Sequence, residues 1–416
     1  MRPAQIDLEV RRMAVPKLKA TRNATTLNYS PEKSVDKTSI DHKVRVRQLL
    51  HQIGYRYDPP ATPDPDFDNA LHEWMVTKVQ PALHWDQRKL AALEDQGSQV
   101  NIRAYPLGDR ELLMIMSKLT VLAIAIDDSL EDEAMYEHMA LFSHRMYVGQ
   151  SQPSGTILPI YEECIREMSD YYEKDAVLRN IGVAPWIAYV DAALLEKRIV
   201  TVDEELRASP FDTGYNRLVE HRKGGEASLN HAKEVRLSSM KLEAEAVRFP
   251  HFLRQKTAIA ESYAAAIFKA NRAQELPLTR YIKAIPDIAF TIEIMNDLLS
   301  FHKEEMEGEE FNLVQLLTQS IRRQQTLLGT TDWDVNDTID LLCDQVKESF
   351  HRVDVLLRLA DFDNSVAGEA EEDDDVDEAI DRQVARQWRG WRDGYITWHL
   401  ESTRYQLDFL SEFLNH

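Results

Sequence analysis

The sequence is short of cysteine: Cys164 and Cys343 are the only two in 416 residues. They stand far apart and without metal-ligand spacing, so neither a disulfide framework nor a zinc site has support, and a reducing compartment fits. Long apolar runs are missing too. The longest, Leu112 to Ile126, is interrupted by Ser117 and Lys118 and is too short to span a bilayer. The first residues lack the apolar core of a signal peptide, and their Ser, Thr, Lys and Arg are mixed with Asp and Glu, so a cytoplasmic protein is expected. Nor is there any surplus of positive charge. Lys and Arg number 49 against 70 Asp and Glu, a formal charge of -21. With no basic stripe and interleaved aromatics to offset it, nucleic acid and anionic lipid are poor partners. A diphosphate is not excluded, because metal ions and a few placed cations outweigh a distant field at short range.

Glycine-rich phosphate loops of the GxGxxG or Walker kind are absent, strand-like alternation is scarce, and no internal repeat is obvious. What is present is 44% hydrophobic residues in long runs rich in Ala, Leu, Glu, Lys and Arg, with only 14 Gly and 16 Pro, which is the composition of packed helices. The expected fold class is all-α. Residues 1–40 are polar and without sustained periodicity, and are expected to form a flexible extension. One helical domain is expected over 41–416. Within it, 201–249 reads as an insertion, because Pro210, Gly214, Gly224 and Gly225 interrupt the pattern, and 369–378 reads as a solvated acidic loop.

Two clusters carry the chemistry. In the run Ala123 to Glu133 an apolar helix ends in five acids within seven residues: Asp127, Asp128, Glu131, Asp132 and Glu133. Asp127 and Glu131 are four apart, so helical geometry puts both carboxylates on one face with Asp128 beside them, and hard oxygens at a cleft suit Mg²⁺, which is often shared with substrate phosphates. Farther on, Asn296, Ser300 and Glu304 fall four apart on one helical stripe, with Lys303 adjacent. An amide oxygen, a hydroxyl and a carboxylate form a mixed oxygen set for a further Mg²⁺, and a purely structural helix would seldom place Asn and Ser on successive turns of one stripe.

The pair DDxxE and NDxxSxxKE resembles the metal-binding signature of class I terpene synthases. The segment Gly394-Tyr395-Ile396-Thr397-Trp398-His399-Leu400, followed by Arg404-Tyr405, is similar to the part of the fungal trichodiene synthase family that carries its diphosphate-binding Arg-Tyr pair. The likeness runs from about Leu112 to Phe409 and is strong only around these motifs and near Phe252-Leu253-Arg254. It implies a single class I terpenoid synthase helical bundle around a central active-site cavity, and three Mg²⁺ ions per site. It also implies farnesyl diphosphate as substrate, a cyclic sesquiterpene or sesquiterpene alcohol as product, and a homodimer. By the same resemblance Asp127 bridges two ions, Asn296, Ser300 and Glu304 hold the third, and Arg254, Lys303, Arg404 and Tyr405 hydrogen-bond the diphosphate.

The match has departures. Thr257 and Ala258 stand where relatives commonly carry a small polar residue and a glycine at a helix break. A further metal-associated glutamate of the family corresponds to Glu196 or to Glu245, and the sequence leaves that choice open. The apolar cavity that a carbocation needs is expected to draw on Trp186, Tyr189, Phe290, Tyr395 and Trp398. A chain-elongating prenyl diphosphate synthase would carry a second aspartate-rich motif where Asn296, Ser300 and Glu304 stand. A protonation-initiated cyclase would need a DxDD acid, which Asp375 to Glu378 only approaches. A helical interaction protein would leave the shared face of Asn, Ser and Glu unexplained.

Overall fold

The computed structural model describes residues 37–57, 64–130, 132–208, 245–269, 271–273, 275–309, 311–329, 332–362 and 376–414. Most of the expected extension (1–36), most of the insertion (209–244), most of the acidic loop and Glu131 lie outside them, while residues 37–40 open α1. The chain divides into Met1–Lys37 and Thr38–His416, and everything below concerns the second unit.

The described residues contain helices and no strand. In chain order these are α1 (Lys37–Gln52), α2 (Pro65–Trp74), α3 (Gln80–Leu83), α4 (Gln87–Ala104), α5 (Arg110–Asp127), α6 (Glu133–Met139), α7 (Phe142–Val148), α8 (Leu158–Tyr171) and α9 (Ala176–Ala208). After the undescribed stretch come α10 (Phe249–Thr257), α11 (Ala260–Ala266), α12 (Ile285–Glu307), α13 (Leu313–Leu327), α14 (Val335–Leu356), α15 (Leu359–Phe362) and α16 (Val376–Glu401).

Local chemistry sets several of these boundaries. Asp86, Asp109 and Asn312 cap α4, α5 and α13 by accepting the backbone N–H of Lys89, Leu112 and Gln315, and Asp334 and Asp337 form a reciprocal capping box on α14. Gly308 ends α12 in the left-handed region, φ 74°, where a side chain would be strained. α5 is apolar on nearly every face, from Leu112 to Ile126, and therefore runs through the core, packed on α4, α8 and α9.

α4, α5, α9, α11, α12 and α16 surround a cavity, and two glycines let three of them approach closely. A Cβ at Gly97 would sit 2.4 Å from Val121 Cγ2, which draws α4 against α5. One at Gly394 would lie 2.0 Å from the Arg103 carbonyl oxygen, so α16 crosses α4 backbone to backbone. Arg103 continues this contact with a bidentate ion pair to Glu401, both bonds 2.8 Å.

Between α10 and α11 the chain breaks at Ala258 and Ile259. Ile259 holds φ 55°, uncommon for a β-branched residue, and its side chain lines the cavity. The backbone turn that glycine would make easily is thus made here by isoleucine.

Candidate active site

The cavity has two compartments that meet at Arg254, Thr257, Asn296 and Tyr189. The inner one, about 210 Å³, is walled by aliphatic side chains such as Val100, Ile124, Ile259 and Ile292 and by the rings of Tyr105, Tyr263, Trp391, Tyr395 and Trp398. Three of its phenols are committed to backbone carbonyls. Tyr105 donates to the Tyr263 carbonyl (2.8 Å), Tyr189 to the Ala123 carbonyl (3.1 Å) and Tyr395 to the Ile292 carbonyl (3.1 Å). With their hydroxyls committed to backbone, these residues present ring faces to the chamber.

The outer compartment, about 220 Å³, is acidic: Asp127, Glu196, Asp297, Glu304 and Glu309 all line it. Asp127 is the last residue of α5, placed at the mouth because the apolar helix ends there. Removal from water, with Asp128 nearby, raises its carboxyl above the ordinary value. Glu196 is pushed up to about 7 by removal from water and by Asp127, and Glu309 to about 7 by removal from water and by Glu304. Burial raises Glu304 as well, against a hydrogen bond from Ser300, and one of its carboxylate oxygens is buried with no hydrogen-bond partner. Clustered carboxylates that resist ionisation describe a site short of positive charge.

The cations expected to bind diphosphate are nearby, each held by a partner from the protein. Arg254 Nε donates to Asp297 Oδ2 (2.7 Å) and its Nη2 to Asn296 Oδ1 (2.9 Å). Burial pushes Asp297 up to about 6 even beside this guanidinium. Arg404 Nη1 donates to Gln96 Oε1 (2.7 Å), and Lys303 lies along α12 to pair with Glu307 (3.2 Å). Tyr405 is buried, its phenol pushed up to about 12, and its oxygen accepts from Asn296 Nδ2 at 3.3 Å. His399, fully buried, has its pKa lowered to about 3 by desolvation.

Of the residues singled out in the sequence, Asp127 and Glu304 line the outer compartment, Asn296 lines both, and Ser300 is buried. Arg404 and Tyr405 line the inner one, Arg254 lines both, and Lys303 lines neither. The structure differs in four places. α5 stops at Asp127, so a continuing helix does not carry Glu131 onto its face, and Asp128 turns out to Lys89 (3.1 Å). Trp186 is fully buried with its indole N–H on Ser262 Oγ (2.7 Å), outside the chamber lining. Phe290 faces an outer groove beside His251. Glu196 lines the outer compartment, whereas Glu245 is exposed and does not.

Sequence reasoning missed Gln96, Tyr105, Tyr263, Trp391 and Glu309. The aromatic ones come from the turn after α4, from α11 and from α16, and no local pattern ties them together. Glu309 stands five residues past Glu304 and had only its acidity as a signal.

No family model matches the chain. Among curated proteins, terpene synthase BipA of Cochliobolus sativus is 25% identical over 360 residues, 86% of this chain and 87% of that one. The (E)-beta farnesene synthase of Metarhizium brunneum is 25% identical over 252 residues, 59% of this chain and 62% of its own length. Among solved structures, germacradien-4-ol synthase from Streptomyces citricolor superposes with a TM-score of 0.50 at 14% identity, covering 84% of this chain and 96% of that one. That likeness shows a shared all-α fold.

Proposed function

We propose that the chain is a terpene synthase, a reading supported by its likeness to terpene synthase BipA, and that it ionises farnesyl diphosphate and closes the cation into a cyclic sesquiterpene or sesquiterpene alcohol. The observation that carries this reading is the junction of the two compartments: an acidic mouth opens directly onto an aromatic-walled chamber, with Arg254 and Asn296 at the seam. A diphosphate head and an isoprenoid tail need that pair of environments side by side.

The mouth fits Mg²⁺. Its donors are hard oxygens, its carboxyls are raised for want of positive charge, and Glu304 keeps a buried oxygen unpartnered. Among the described residues no group of three His, Cys, Asp or Glu side chains could hold a metal ion by itself. Asp127 and Glu196 on one side and Asn296, Ser300 and Glu304 on α12 would hold the three ions that this reading requires. When bound, they supply the positive charge that stabilises the departing diphosphate.

The protein's own groups do the rest. Arg254, Lys303 and Arg404 exchange Asn296 and Asp297, Glu307 and Gln96 for diphosphate oxygens, which guanidinium forks bind in pairs. The Tyr405 phenol adds a directional donor. The C–O bond breaks heterolytically, leaving an allylic cation against ring faces whose hydroxyls are turned to backbone, so cation–π attraction stabilises it. Dense apolar walls exclude water until proton loss or a late water addition ends the sequence, and the diphosphate can accept the final proton.

The test is incubation with Mg²⁺ and, separately, geranyl, farnesyl and geranylgeranyl diphosphate, followed by gas chromatography with mass spectrometry. A cyclic C15 product that disappears with chelator, and falls about 100-fold or more in Asn296→Ala, is expected. Longer linear diphosphates on adding isopentenyl diphosphate would overturn cyclisation in favour of chain elongation.

A further inference from the structure

The proposed cation site depends on which end of the Asn296 amide faces the cavity, since oxygen binds a cation and NH₂ does not. Four contacts fix that end. Arg254 Nη2 meets one amide atom at 2.9 Å, and the other meets His399 Nε2 and Tyr405 Oη, both at 3.3 Å. His399 Nδ1 lies 2.9 Å from the Tyr395 carbonyl oxygen.

A carbonyl oxygen only accepts, so His399 Nδ1 must carry the proton. The ring is fully buried among Tyr395, Trp398 and Tyr405, at centroid distances of 4.6, 4.4 and 4.6 Å. With neutral imidazole there, Nε2 is a bare acceptor. The amide atom facing it must be the NH₂ group, whose second hydrogen goes to Tyr405 Oη. Arg254 reaches the same result from the other side, because a guanidinium only donates and the atom it meets must be oxygen. The reversed amide would set oxygen against a lone pair and NH₂ against a guanidinium, losing both contacts.

We propose that His399 is a positioning residue: by donating Nδ1–H to the Tyr395 carbonyl it presents a bare Nε2 that turns the Asn296 amide so that its oxygen faces the cation site. This inference rests on the reading of Asn296 as a cation ligand given above. His399 touches neither substrate nor cation and acts through Asn296 alone. Such orienting partners commonly change metal affinity about 10- to 100-fold.

The test uses calorimetric titration of Mg²⁺ in the presence of inorganic diphosphate, with the full chain. His399→Phe keeps an aromatic ring in the packed cluster and removes the acceptor, and is expected to weaken Mg²⁺ binding about 10-fold or more. The same substitution in an Asn296→Ala background is expected to change it less than about 2-fold, because alanine leaves no amide for the ring to orient. An equal loss in both backgrounds would mean that the ring matters only to packing, and unchanged binding in both would mean that it matters to neither; each overturns the proposal. If the parent binds no Mg²⁺ with diphosphate, the function reading itself fails, a separate and recognisable result. A third measurement needs no folded Phe variant. In ¹⁵N-histidine-labelled protein, the His399 signals, assigned by their loss in His399→Gln, should show Nδ1 protonated and Nε2 bare, and a protonated Nε2 overturns the proposal.

Discussion

Replacing Arg254 by Gln should do two separable things. The guanidinium, with 18% of its side chain exposed, binds an Asp297 carboxylate that is 8% exposed. Taking it away leaves a buried carboxylate unpaired, a change that commonly costs about 3–5 kcal/mol of folding stability. The cost depends on pH with a sign that the structure fixes. Asp297 titrates at about 6 in the folded protein, above the ordinary 3.8. Its contribution to stability is therefore complete below the lower value and falls as pH rises through the upper one. Without Arg254 the folded value rises further. The variant then keeps losing about 1.4 kcal/mol per pH unit over a range where the parent has levelled off. Urea unfolding followed by circular dichroism, without divalent cations, should find the penalty larger at about pH 7.5 than at about pH 5.5 by about 1–2 kcal/mol. Adding Asp297→Asn removes the stranded charge and should recover most of the stability, while turnover of farnesyl diphosphate stays low. A variant as stable as the parent at neutral pH, or a penalty independent of pH, would refute the reasoning.

Two further outcomes follow from the geometry. Glu196 and Glu309, both at about 7, and the raised Asp127 and Glu304 must lose protons before they hold a cation. At about pH 5.5 Glu196 and Glu309 are largely protonated, so added Mg²⁺ should raise the melting temperature less there than at about pH 7.5. Scanning calorimetry checks this, and a shift that is equal or larger in acid would contradict it. Gly394→Ala puts a methyl 2.0 Å from the Arg103 carbonyl oxygen, a contact that only backbone movement relieves. The expected loss is about 1–3 kcal/mol in urea unfolding, with reduced turnover because Trp391, Tyr395 and Trp398 ride on the same helix.

The parts of the site that the sequence revealed lie within single helices. Asn296, Ser300 and Glu304 repeat at helical spacing on α12, and Asp127 ends an apolar run. The chamber was harder to read, because its walls come from segments far apart in the chain and a ring on a helix shows its target only once its neighbours are placed. Trp186 and Phe290 carry the right chemistry, but one is taken by Ser262 and the other looks outward. The face shared by Asp127 and Glu131 depended on a helix that ends at Asp127, four residues short of Glu131. His399 could not have been picked out at all, since its role depends on a bond to its own helix backbone and on Asn296, 103 positions away.

The glycine crossings on α4 bear on how such a chamber can change over evolution. Where α4 meets α5 and α16, the spacing is set by main chain and by the absence of side chains, at Gly97 and Gly394. Substitution there can only force helices apart, so that side of the chamber has little room to be remodelled. Tyr189, Ile259 and Tyr263 also border the space, and there substitution changes a side chain and not a helix crossing. New product specificities should therefore arise mainly from α9, α11 and the break before it, and a library aimed at those positions would keep the scaffold while varying the shape that the cation meets.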